Sequence, residues 1–129
     1  YSLLLLTIML FIACSKEKRS DKKGEKMQKF VVAISDYARA LDSDFILIPQ
    51  NGTELAFNYL TPSEGLNQNY LSAIDGIGIE ELFYNGSYSP DNERLSMLQQ
   101  IVASKKVMVS EYITDNSAVM DWYFPLGVT

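Results

Sequence analysis

Three short apolar runs, spaced about thirty residues apart and each ending in polar side chains, constrain this chain more than any other feature. They are Phe45-Ile-Leu-Ile-Pro49, Gly76-Ile-Gly-Ile79 and Val107-Met-Val-Ser110. A βα repeat has roughly this length. Runs that are apolar throughout, rather than alternating, predict strands buried on both faces, hence a parallel sheet covered by helices. The helices between them are legible as well. Phe30, Ile34, Tyr37, Ala38 and Leu41 recur at helical spacing and predict an amphipathic helix over residues 25–41. Residues 69–74 predict a short helix, and residues 117–123 the start of another. Ser89-Pro90 offers an N-cap followed by proline at the first helical position, and Leu95, Leu98, Ile101 and Val102 form the stripe of that helix. Lys105 and Lys106 close it, where the macrodipole favours cations. The fold class is therefore α/β, with three to four βα units around a parallel sheet.

The strand ends carry the functional reading. They are Gln50-Asn51, Glu80-Glu81 and Glu111-Tyr112. Polar groups gathered at the C-terminal ends of parallel strands mark the ligand face of α/β folds. Polar residues also collect wherever a strand meets solvent. In the second strand, alternation puts Gly76, Gly78 and Glu80 on one side, and Ile77, Ile79 and Glu81 on the other. The isoleucines suit a face under helices, and the glycines leave room for a close backbone or ligand. Glu80 is expected to point into the mouth of the sheet and Glu81 away from it. The stretch begins like a dinucleotide fingerprint, but Glu81 replaces its third glycine and would repel pyrophosphate.

Composition narrows the chemistry. The chain has no histidine and one cysteine, which excludes Ser-His-Asp and Cys-His systems, the usual zinc sites and an internal disulfide. Carboxylates, tyrosines, amides, hydroxyls and lysines remain, and no cofactor or metal is expected. Residues 16–29 hold seven Lys/Arg against three Asp/Glu; from residue 30 onward there are four against thirteen. So acidic a folded part is unsuited to nucleic acid, which needs clustered cations. The acidity also serves solubility.

Residues 2–13 are almost unbrokenly apolar. At about 1.5 Å per residue they cover roughly 18 Å, short of a hydrocarbon core of about 30 Å, so they fit a signal-peptide h-region. Phe11-Ile-Ala-Cys14 resembles a bacterial lipobox, with Phe11 in place of the usual leucine. Cys14 is expected to carry lipid; the alternative is an ordinary secretory signal whose cysteine is incidental. Residues 15–26 are charged and nearly devoid of apolar side chains, and predict a solvated tether that does not fold. The organisation expected is a signal peptide at 1–13, a lipidated cysteine and tether at 14–26, and a folded domain at 27–129. This predicts export and membrane anchoring in the bacterial cell envelope. With Tyr1 in place of Met and an apolar C-terminal stretch, the chain reads as a fragment of a longer one.

Three stretches together resemble glycoside hydrolase family 114, the endo-α-1,4-polygalactosaminidase-like TIM barrels. They are Phe30-Val-Val-Ala-Ile-Ser-Asp-Tyr-Ala-Arg39, Asp44-Phe-Ile-Leu-Ile-Pro-Gln-Asn-Gly52 with Glu54-Leu55, and Tyr70-Leu-Ser-Ala-Ile-Asp-Gly-Ile-Gly78 running on into Glu80-Glu-Leu-Phe-Tyr84. The resemblance covers residues 27–115 and implies the second half of a (β/α)8 barrel acting on α-1,4-linked, galactosamine-rich polysaccharide. It puts Glu80 at the position of the catalytic carboxylate on the sixth strand. Gln50 and Asn51 match the end of the fifth strand, and Glu111 and Tyr112 the seventh. Beside the resemblance, Phe83, Tyr84, Tyr88 and Tyr112 offer sugar-stacking faces near the strand ends, though aromatics there more often serve packing alone. The family's other carboxylate, an aspartate, ends the strand before the 25–41 helix, where this sequence is lysine-rich. A glycosidase needs both groups, so the chain as given is expected to be weakly active at best. Two other readings stand beside the enzyme: a non-catalytic, carbohydrate-binding half-barrel, and a surface-anchored module without a sugar site. An open half-barrel also leaves apolar surface that a second copy could cover.

Overall fold

The computed structural model describes residues 2–113, with side chains from residue 22 onward. Helix α1 spans Ser2–Leu41. It thus runs through residues 15–26, expected to be an unfolded tether. Lys, Arg and Glu are good helix formers and no proline interrupts the stretch. Of its lysines, those with described side chains, Lys22, Lys23 and Lys26, are exposed. Cys14 and the apolar leader lie outside the described side chains. Among the described residues, no helix is long and apolar enough to cross a membrane.

After α1 the chain runs extended to Gln50, then winds through three short 3-10 turns, Thr53–Ala56, Asn58–Leu60 and Pro62–Glu64. Helix α2, Gln68–Ala73, is capped by Asn67, whose side chain accepts from the Tyr70 N–H. Strand β1, Gly76–Glu80, follows. A two-residue hairpin comes next, β2 at Tyr84–Asn85 and β3 at Ser87–Tyr88, turning at Gly86 with φ 72°. Asn85-Gly86 is the turn signal that reading for a βα repeat passes over. Helix α3, Asn92–Ile101, leads to β4, Lys106–Ser110. Its cap is Asp91, not Ser89: the carboxylate accepts the Arg94 N–H at 2.9 Å, and its second oxygen binds the Arg94 guanidinium. Lys105, expected to close α3, donates to the Ile74 carbonyl at 2.6 Å.

The architecture is mixed α/β. Strands β1 and β4 pair in parallel from Gly76↔Lys106 to Glu80↔Ser110. The strand expected at 45–49 does not form as such. It touches β1 through one parallel bridge, Gln50↔Gly78, in which Gly78 N donates to Pro49 O and Asn51 N to Gly78 O. The next rung would need an N–H from Pro49, which has none, so the ladder stops there. Asp75 takes over: its N–H donates to Leu47 O, and its carboxylate accepts the Leu47 N–H and the Arg39 guanidinium at 2.8 Å. The expected helix at 117–123 lies outside the described residues, and no barrel closes within them.

The core sits where α2, α3 and the first 3-10 turn pack on the β1–β4 pair. It holds Phe57, Tyr70, Ile77, Ile79, Ile101 and Val107, all buried. The isoleucines of β1 do face the helices, as alternation predicted. Helix α1 enters through a narrow face: Val31 is buried, and Gln28 donates through Nε2 to Leu55 O and Phe57 O, both at 2.8 Å.

Burial pushes the Tyr70 phenol up to about 12, and the nearby Glu54 carboxylate adds to the shift. A raised folded-state value contributes stability that is full below the unfolded value of about 10 and is lost as pH rises towards 12. Chemical denaturation between pH 9.5 and 12 should therefore show stability falling by roughly 1–3 kcal/mol. The same series on Tyr70→Phe should be flatter; equal slopes would contradict the burial argument.

Candidate functional site

Because β1, β4 and the residue 47–50 segment are parallel, their C-terminal ends share one edge, with Gln50, Glu80 and Ser110 on it. The Asn51-Gly52 turn places both residues in the left-handed region, at φ 59° and 66°. Asparagine and glycine tolerate that conformation best. The turn brings Asn51 over the end of β1: its Oδ1 accepts the Glu80 N–H at 3.2 Å, and its Nδ2 reaches Glu80 Oε2 at 3.5 Å. From beyond β4, the Tyr112 hydroxyl donates to Glu80 Oε1 at 3.1 Å. Both Glu80 oxygens thus have protein donors contributed by different strand ends. The hydrogen bond to Glu80, and that carboxylate's charge, push the Tyr112 phenol above its usual range. At neutral pH it therefore remains a protonated donor.

The other expected residues take different places. Gln50 folds its amide over Gly78, in the space a Cβ there would occupy. The room left by glycine is used by a side chain of this chain itself. Glu111 turns towards the loop after β1, its oxygens accepting the Phe83 N–H at 2.8 Å and the Tyr84 N–H at 3.2 Å. Tyr84 meets Tyr88 edge-on across the hairpin, with ring centroids 5.4 Å apart. Asn51, Glu80 and Tyr112 are therefore brought into one cluster, while Glu111 and Tyr84 brace the adjoining loop.

An open depression of about 380 Å³ lies beside Glu80, lined by Asn51, Gly52, Thr53, Glu54, Glu81 and Arg94. Glu81 also has left-handed backbone, φ 52°, and its N–H donates to Ser110 O. A non-glycine residue there costs on the order of 1–2 kcal/mol. Arg94 donates to the Glu80 carbonyl at 2.9 Å while paired with Asp91. Sequence reasoning missed Arg94 and Glu54. The signal for Arg94 was available: it is one of four Lys/Arg after residue 29, in a region with thirteen acids. Glu54 lies in a stretch that carries the family resemblance, but only the 3-10 turn places it beside Glu80. Among the described residues no group of three acidic or cysteine side chains could hold a metal ion.

No protein-family model matches the sequence. Among curated proteins it is similar to the uncharacterized protein MJ1477 of Methanocaldococcus jannaschii, 33% identical over 103 residues, covering 75% of this chain and 28% of that one. It is also similar to an uncharacterized protein of Thermotoga maritima, 29% identical over 112 residues, covering 78% of this chain and 32% of the other. The chain thus spans less than a third of the length of these curated relatives.

Proposed function

We propose that this chain is the later part of a (β/α)8-barrel glycoside hydrolase-like protein, similar to glycoside hydrolase family 114. It would act on α-1,4-linked, galactosamine-rich polysaccharide. The observation that carries the reading is the convergence of Asn51, Glu80 and Tyr112 at one edge of a parallel sheet. An acidic group fixed by neighbours at such an edge suits a sugar-cleaving carboxylate. The left-handed backbone at Asn51 and Glu81, on either side of Glu80, is a second support, since such conformations gather at functional sites. The acidity of the region after residue 29 favours a polysaccharide that is cationic where deacetylated.

Glu80 takes the catalytic role in this reading. Glu54 and Glu81 are the carboxylates that share its depression, so they are the groups to test for the second acid. The assay is reducing-end release from partly deacetylated α-1,4-galactosaminan by the chain and by Glu54→Gln, Glu80→Gln and Glu81→Gln. Slow hydrolysis that depends on Glu80 supports the proposal; hydrolysis indifferent to Glu80 contradicts it. A non-catalytic, carbohydrate-binding role is the second reading. It is favoured by the engagement of the Glu111 oxygens with backbone N–H groups, which removes Glu111 as an acid partner. Binding without any cleavage would select it.

The same proposal includes export and a lipid anchor at Cys14, from the apolar run that precedes it. Fatty-acid labelling in a bacterial host should mark the protein, and Cys14→Ser should remove the label. Undiminished labelling of the mutant would sink the anchor.

A further inference from the structure

Strand β1 carries two glycines, Gly76 and Gly78, on the face turned away from the helices, the face that also carries Glu80. A glycine inside a strand weakens it relative to alanine, and marks a place where another group approaches closely. The two positions meet different neighbours. A Cβ on Gly76 would stand 3.0 Å from the Lys106 carbonyl oxygen and 3.8 Å from Ile48 Cγ1, so backbone and an apolar side chain fill that space. A Cβ on Gly78 would run into the Gln50 amide, overlapping Oε1 and lying 3.1 Å from Cδ. The group seated over Gly78 is thus polar, and it is the tip of a flexible side chain.

The backbone brings Gln50 to that notch. Gly78 N donates to Pro49 O and Asn51 N to Gly78 O, so the parallel bridge sets Gln50 directly beside Gly78. Side chains two residues apart along a strand share a face. The Gln50 amide therefore lies on the Glu80 side of β1, one pleat short of the carboxylate. Gln50 is exposed, and it is not part of the depression beside Glu80, which lies towards Gly52, Glu81 and Arg94. An amide offers two donors and an acceptor, which suit the hydroxyl and amino groups of a sugar.

We propose that Gly78 is a positioning residue for Gln50: the missing side chain leaves a notch that seats the Gln50 amide beside Glu80, and the seated amide hydrogen-bonds a second unit of a bound sugar chain. Contacts to that chain then lie on both sides of Glu80, in the depression and at the notch. The proposal rests on the sugar-binding reading of Glu80, and adds a requirement which that reading does not contain. A methyl at Gly78 displaces the amide while the strand stays in place, since the nearest atoms, Oε1, Cδ and Nε2, all belong to the tip of Gln50.

Side-chain amide NMR of the full chain, with calorimetric titration by a short α-1,4-linked galactosamine oligomer, tests it. The Gln50 Nε2 proton signals, identified by their loss in Gln50→Ala, should move in Gly78→Ala with no sugar present. Gly78→Ala and Gln50→Ala should each bind the oligomer about 3–10-fold more weakly than the wild type, the loss of one hydrogen bond. Both remove the same contact, so the double variant should bind no more weakly than either single one. Shortening Gln50 should also reverse any fall in the urea midpoint that Gly78→Ala causes. Unmoved Gln50 signals, undiminished binding by either single variant, losses that multiply in the double variant, or a fall in midpoint that persists there overturns the proposal and leaves the Glu80 reading standing. No binding by the wild type overturns both.

Discussion

Glu80→Gln is expected to reduce hydrolysis of α-1,4-galactosaminan to background while leaving the fold intact. A positioned acid or base contributes about 10²–10⁴ in rate, and the amide can neither take nor give the proton. The substitution keeps shape and one acceptor oxygen, so Tyr112 or Asn51 retains a partner. The thermal unfolding curve should therefore stay close to that of the wild type, as for other partly exposed sites. The expected weakness of the parent activity makes the comparison demanding, and long incubations with end-point product counting suit it. Equal product from both proteins would remove Glu80 from the chemistry.

The largest structural effect is expected at Phe57. Its side chain is fully buried, and its backbone joins three elements: the carbonyl accepts from Gln28 of α1, the N–H donates to Glu54 O, and the residue bridges to Leu66. Phe57→Ala should cost about 3–5 kcal/mol, the transfer loss plus the cavity left behind. A domain of this size has in total only about 5–15 kcal/mol. The urea midpoint should fall steeply, and α1 should lose its hold on the domain. Phe57→Leu refills most of the volume and should cost well under half as much. Equal losses for Ala and Leu would show that packing is not what Phe57 supplies.

Where apolar periodicity matched burial the elements were legible in the sequence; in α1 it did not match, since Phe30, Ile34, Tyr37 and Leu41 are exposed. Gly76-Ile-Gly-Ile79 and Val107-Met-Val-Ser110 became paired parallel strands, and Leu98 and Ile101 became the buried face of α3. The first strand was not legible, because one ring decides it: Pro49 removes the N–H that a second rung requires. The extent of α1 was missed for a different reason. A charged stretch without apolar residues gives no burial signal, yet its helix propensity is high. At the site, the sequence placed Asn51, Glu80 and Tyr112 at strand ends, and these do meet. It could not show where Glu111 turns, since only the fold brings its carboxylate to the backbone N–H groups of Phe83 and Tyr84.

An amide NMR titration of the chain with a short α-1,4-linked galactosamine oligomer tests the central claim most directly, because it reads binding whether or not cleavage follows. The shifts should concentrate at Asn51, Gly52, Glu80, Glu81 and Tyr112, around the depression beside Glu80. They should be strongly reduced in Glu80→Gln. Residues 27–41 of α1 should not move. Shifts scattered over the surface, or confined to elements away from the C-terminal edge of β1, would contradict a sugar site at Glu80, as would no shifts at millimolar ligand.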